Sequence, residues 1–369
     1  MGRFWQILVL SLLLGIGALW LVFPDSFSMA SLQQLGHSNP WYWLLLLSML
    51  IVRWLLGGLR MKLFGHISGV KLGLWRAVRT DLMGMFASVI SPAGGGNALG
   101  IVWFLRRYNV AFNSAVMMAA LLIMLDMSFF AWSAPLSFIY LLQSGIIPSN
   151  PYLSVAVVVL SLCVVLLSQL LIFRLRYALW LLRQPFKLPL LRRFSDNVGQ
   201  LFSQLDALGR GFAAQPWYVF VGLHALTTAI WLLHLGLFWV TAQMLAVGVA
   251  RLELITSHIV IHSLAFIIPT PGASGYTEGA LSLATGQAVS QTAALSILLY
   301  RLLSYYIFFI IGPLIGGAAL ANAKANDTEQ LKQAMKQHSA TNYSEPPSSK
   351  NNNVRAEHNV RTEHYASEH

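Results

Sequence analysis

The chain is poor in charge. Of its 369 residues, only 10% are Asp, Glu, Lys or Arg, whereas 56% are hydrophobic. Soluble domains carry roughly 25% charged residues, so the composition points to a polytopic membrane protein. Cysteine is almost missing. Cys163 stands alone in an apolar run, which excludes an internal disulfide and reads as a small buried hydrophobe. Acidic residues are the scarcer sign, 13 against 24 Lys and Arg, for a net charge of +11. The basic residues gather in short stretches between apolar runs, which is the positive-inside pattern. A nucleic-acid binder would place them on a soluble module with aromatic platforms, so no nucleic-acid partner is expected.

Soluble-enzyme motifs are missing as well. No Lys-Ser or Lys-Thr follows Gly94-Gly95-Gly96, as a phosphate loop requires. Ser274 does not sit in a Gly-x-Ser-x-Gly elbow. No acidic cluster suits a divalent metal with a sugar nucleotide. His258 and His262 share a helical face, but no glutamate lies between them in a His-Glu-x-x-His pattern. They read as a polar packing pair or as cavity-lining groups. Neither a cofactor nor a metal site is expected, nor a self-contained ATPase, hydrolase or classical glycosyltransferase.

What the chain has is long apolar runs. Gln6 to Phe23 reads as an uncleaved first span, because no small-x-small cleavage site follows it. A second span is expected from Trp41 to about Leu59, with Arg60, Lys62, Lys71, Arg76 and Arg79 in a cytoplasmic loop after it. Ala115 to Leu142 crosses, and Tyr152 to Phe173 returns. The basic stretch from Arg174 to Arg210 is the largest cytoplasmic connection, with an amphipathic stripe over Phe194 to Phe212. Trp217 to Ala250 is too long for one straight crossing, so two tight spans turning near His234 to Gly236 are expected, with a kinked helix as the alternative. Ala293 to Leu320 forms a last span or two short pieces meeting near Ile310 to Gly312. Seven to nine crossings result. Residues 1–321 form the membrane domain, and 322–369 are a polar tail of disordered character.

Two Pro-Gly breaks interrupt this membrane-grade sequence. One is Ser91-Pro92-Ala93-Gly94-Gly95-Gly96-Asn97, and the other is Thr270-Pro271-Gly272-Ala273-Ser274-Gly275. Neither continues a helix smoothly. Non-helical backbone at membrane depth is tolerated only where protein or a water-filled cavity receives its polar groups. The fold expected is therefore all-α: a polytopic transmembrane helical bundle with two broken or re-entrant hairpins, consistent with internal pseudo-symmetry. Basic residues on both sides of the first break favour a re-entrant hairpin or a broken span that returns to the cytoplasmic face, with a plain loop as the alternative. Unpaired amides at a helix start attract phosphate, so Pro92, Gly94, Gly95, Gly96, Asn97, Pro271, Gly272 and Gly275 are candidate site residues.

The few charges inside apolar runs complete the candidate set, because burying an unpaired charge is costly. Glu278 follows the second break, and Arg301 lies one helical stretch later. They are read as a polar site for a lipid phosphate or a coupling cation, or as a structural ion pair. Arg53 sits inside the second span and either faces a polar cavity or reaches the surface with Arg60. Asp126 is near the middle of the Ala115 to Leu142 run, with pairing and proton coupling both open. Asp81 reads as a helix-end charge beside Arg79 or as a functional residue.

At the two breaks the sequence resembles the lysylphosphatidylglycerol synthase transmembrane-region family, also described as flippase-like membrane proteins. The match runs through Ile268-Pro269-Thr270-Pro271-Gly272-Ala273-Ser274-Gly275-Tyr276-Thr277-Glu278-Gly279-Ala280, then Gly286 and Leu299-Tyr300-Arg301-Leu302-Leu303-Ser304-Tyr305-Tyr306. An earlier match covers Ser91 to Gly96, then Arg106-Arg107 and Val110. The sequence departs from the family at Asn97 and Gly100, where relatives carry an acidic residue and an arginine, and at Ala273-Ser274, where a paired glycine is lost. The resemblance implies lipid translocation, or support of a lipid-linked pathway, in the bacterial inner membrane. Its cargo would be a phospholipid or a polyprenyl-phosphate-linked glycan. Synthase activity belongs to a soluble domain of some relatives and is not carried over. The alternative is a non-transporting membrane partner of a lipid- or cell-envelope-modifying enzyme.

Overall fold

The computed structural model describes residues 33, 35–91, 94–146, 152, 155, 159, 214–285 and 291–317. The expected first span, Cys163, the return from Tyr152 to Phe173, the basic connection with its amphipathic stripe, Pro92, Gly286 and the tail lie wholly or mainly outside them. The described residues are all-helical. Four helices are long and apolar enough to cross a membrane, so the chain is a multi-pass membrane protein.

Helix α1, Pro40–Ile67, starts cleanly. Asn39 caps it by accepting from the Trp41 amide at 3.0 Å, and Pro40 takes the first turn, where its missing donor costs nothing. Trp41, Leu44, Leu47 and Ile51 stay exposed, as a lipid-facing side should. Helix α1 does not end near Leu59. Its 28 residues give about 42 Å, so Arg60 lies within the helix and is buried rather than in a loop. No proline or turn signal stops it before Ser68.

Helices α2, Leu74–Val89, and α3, Gly96–Arg106, pack against each other as a hairpin around the first break. At 16 and 11 residues they reach about 24 and 16 Å, less than a hydrocarbon core of about 30 Å. Asp81 is buried in the middle of α2, so it is not a helix-end charge. Helix α4, Phe112–Gln143, spans as expected and holds Pro135 in its interior. Membrane helices tolerate such a proline where neighbours receive the freed backbone groups.

Helix α5, Trp217–Met244, corrects the reading of two tight spans. His234 to Gly236 stays helical, since one glycine costs only about 1 kcal/mol against alanine and no proline stands there. The excess length is instead shed at Leu245, where the helix ends. Helices α6, Arg251–Ala265, and α7, Tyr276–Ala284, flank the second break and contact each other. The last span, α8, begins at Gln291–Arg301 and runs to Gly317 through one π-helical turn, Leu302–Tyr306. The irregularity lies there rather than at Ile310 to Gly312. An apolar core joins α1, α2, α5 and α8 through Leu46, Phe86, Phe238 and Phe308. A second core joins α1, α3 and α4 through Met61, Leu105 and Leu122.

Candidate functional site

Both breaks reach one cavity of about 270 Å³. Gly94, Gly95 and Asn97 line it from the first tip, and Gly272 and Ala273 from the second. Tyr305, in the π turn, ties the two together. Its hydroxyl lies 3.0 Å from the Val89 carbonyl at the end of α2 and 3.3 Å from the Pro271 carbonyl. A π turn inserts one extra residue and re-aims the side chains around it, and such turns recur at functional sites.

The second tip is held by Arg301 and Glu278. Arg301 Nε donates to Glu278 Oε1 at 2.6 Å, and Glu278 Oε2 accepts the Gly275 amide at 2.7 Å. The Arg301 amino groups reach the Gly272 carbonyl at 3.3 Å and Ser274 Oγ at 3.0 Å, and the guanidinium lies 4.4 Å from the Tyr305 ring centre. Both charges are buried. A buried pair holds only where its remaining donors and acceptors are satisfied, and here the break itself satisfies them. Gly272 is obligatory: its φ is +56°, and a Cβ would collide with the Tyr305 ring. Pro271 and Gly275 shape the turn without lining the cavity.

Among the described residues, the first tip has fewer side-chain contacts. The Gly96 amide donates to Ser91 Oγ at 2.7 Å, and the Asn97 amide to the Gly94 carbonyl at 3.2 Å. Asn97 Oδ1 is buried without a hydrogen-bond partner among the described residues. Gly96 itself packs onto α2, where a Cβ would meet the Ala87 carbonyl, and it does not line the cavity.

Two further charges face the cavity. Asp126 on α4 accepts from Arg60 Nη1 at 2.5 Å and from Trp231 Nε1 at 2.9 Å. Arg60 also reaches Thr227 Oγ1 at 3.3 Å. Arg53 is only 3% exposed and points into the cavity rather than to the surface. Among the described residues, its hydrogen-bond contact is the Met85 sulfur at 3.5 Å, and its Nε has no partner. Among the described residues, Arg53 forms no ion pair, so it differs from Arg60 and Arg301.

The histidines gather on the same side. His234 and His262 line the cavity with ring centres 5.4 Å apart, and His234 Nε2 lies 3.3 Å from the Tyr300 hydroxyl. His258 packs on Tyr300 and bonds the Leu235 carbonyl at 3.3 Å, so it is a packing group while His262 is a cavity-lining one. Among the described residues, no group of three or more His, Cys, Asp or Glu could hold a metal ion.

Sequence reasoning missed Arg60, Tyr305 and the depth of His234. The spacing Arg53, Gly57, Arg60 puts all three on one face of α1, a signal hidden by ending that span early. Nothing in the pattern marked the π turn that places Tyr305.

Residues 8–312 match the family described as lysylphosphatidylglycerol synthase TM region. The chain belongs to that family. The family is a membrane domain associated with lipid-related functions. No curated protein and no solved structure matches the chain.

Proposed function

We propose that this family member is a lipid translocator of the bacterial inner membrane, moving a phospholipid or a polyprenyl-phosphate-linked lipid. The observation that carries the reading is the pair of breaks at one cavity lined by Arg53, a guanidinium with no ion pair among the described residues. Such a site suits a phosphate. Helix α3 begins beside it at Gly96 with no acidic residue in its first turn, so the positive end of its dipole is not offset there. The two broken hairpins act as re-entrant elements, and lipid passes between their tips. Glu278 and Arg301 hold the second tip in shape. Asp126 and Arg60 brace the wall opposite. No ATP-hydrolysing motif is present, so movement is facilitated or coupled to an ion gradient.

Purified protein in liposomes carrying a fluorescent phospholipid tests this. Dithionite quenching should reveal movement above that of empty liposomes. Arg53→Gln should slow it about tenfold or more, since a hydrogen bond to a charged group is worth roughly 1.5–3 kcal/mol. Folding should survive, because the variant removes an uncompensated buried charge. No movement of phospholipid or polyprenyl-phosphate lipid, with a stable complex to an envelope enzyme, would reject translocation.

A further inference from the structure

Asp81 is the buried charge that the site above leaves unused. It is 3% exposed, its Oδ1 has no hydrogen-bond partner, and it forms no ion pair among the described residues. It does not line the cavity. Its carboxylate lies in a notch on α1 left by Gly57, where a Cβ would collide with Oδ2. Gly57 is four residues after Arg53 and three before Arg60. The carboxyl group therefore sits on the face that carries both guanidiniums. The charged groups acting on it are Arg60 and Arg53 from α1 and Asp126 from α4. Arg60 is already committed to Asp126. Arg53 is not, and it also faces Arg60, Asp126, Tyr300, His234 and His262.

Two buried groups of opposite charge thus meet one face of α1, neither in an ion pair among the described residues. An unpartnered ionised carboxylate in this setting is costly, and so is an unpartnered guanidinium. Two arrangements relieve both costs. In one, Asp81 is ionised and pairs with Arg53 after a side-chain movement. In the other, Asp81 carries a proton and Arg53 pairs with an anion in the cavity. The Gly57 notch gives the carboxyl group room to stay when Arg53 turns away.

We infer that Asp81 is a proton-binding site that exchanges with an anionic phosphodiester for Arg53, so that anion binding takes up one proton. This rests on the reading of the cavity as a lipid-phosphate site. The exchange balances: the Arg53–Asp81 pair of the ionised arrangement gives way, one proton adds to Asp81, one anion contacts Arg53, and the net charge of the site with its anion is unchanged. The sign follows. At pH values below the titration of Asp81 the guanidinium is free and the anion binds. As pH rises through that titration, Asp81 ionises, competes for Arg53 and weakens binding, by about tenfold per pH unit in the linked range.

Calorimetry on the full chain in nanodiscs tests this, with dihexanoyl phosphatidylglycerol as probe and dimethyl phosphate as a second arm. Neither phosphodiester titrates near neutral pH. Buffers of different ionisation enthalpy report the protons taken up. About one proton per lipid bound is expected, with none in Asp81→Asn, whose affinity no longer falls as pH rises. Arg53→Gln should lose binding throughout. An infrared carboxylic-acid band that grows on binding, and is lost in Asp81→Asn, confirms the group even if that variant is less stable. Tight binding of the lipid with weak binding of dimethyl phosphate identifies a headgroup site, and equal binding identifies a free-anion site with the same exchange. Lipid binding without proton uptake overturns the inference and leaves the lipid reading standing. Proton uptake that persists in Asp81→Asn and disappears in His234→Gln or His262→Gln also overturns it. No binding of either probe removes the lipid reading and the exchange together.

Discussion

The two hairpin tips solve the same problem differently. Each must hold irregular backbone inside an apolar protein. At the second tip an anion offsets the helix start: Glu278 lies in the first turn of α7 and takes the Gly275 amide, while Arg301 gathers the turn's carbonyl and hydroxyl. At the first tip, α3 starts with no acidic residue in its first turn, and among the described residues Ser91 supplies the side-chain contact to the turn's backbone. The second tip is satisfied from within the protein. The first leaves a helix start without an acidic partner in its first turn, while the Asn97 side-chain carbonyl turns toward Gly84 on α2. Two tips at one cavity, one closed by an ion pair and one by a serine, teach that the shared Pro-Gly signature need not mean a shared task.

The sharpest way to break this contrast is to cut the second tip. Arg301→Gln or Glu278→Gln leaves a buried charge unpaired and should cost about 3–5 kcal/mol, read as a fall in thermal midpoint in detergent. The double variant should be less damaging than either single one. If both singles melt like the parent chain, the second tip is not held as described. Asp126→Asn comes next at about 2–3 kcal/mol, because Arg60 keeps Thr227 but loses its counter-charge. The same melting experiment should rank it below Arg301→Gln. Gly272→Ala should cost about 1–3 kcal/mol through its positive φ and the Tyr305 ring. Tyr305→Phe, which spares the ring, should cost nearer 1 kcal/mol; equal losses for the two would point away from steric fit. The smallest stability effect belongs to the first tip. Asn97→Ala should change stability by no more than about 0.5 kcal/mol, while altering lipid movement in the liposome assay. A melting loss as large as that of Glu278→Gln would reverse the ranking of the tips.

Much of the fold was legible. Apolar length announced the spans, and the Pro-Gly runs marked both hairpins. Scarcity of charge picked out Glu278, Arg301, Asp126 and Arg53, all of them buried. Pairing was less readable. Arg60 looked like a loop cation because apolar length alone does not say where a helix stops; its partner Asp126 lies 66 residues away, beyond any local pattern. The single helix through His234 was hidden because one glycine is a weak stop, and only packing decides whether it breaks the run. The π turn depends on where Tyr305 must reach, which is a property of two distant carbonyls and not of its neighbours.

The size of the chamber carries a consequence for selectivity. At about 270 Å³ it lies just below the range that holds drug-sized molecules. A polar end fits and two acyl tails do not, so any lipid engaging Arg53 would keep its tails in the surrounding bilayer. Chain length and unsaturation should then matter little to recognition, and discrimination would rest on the few atoms next to the phosphorus.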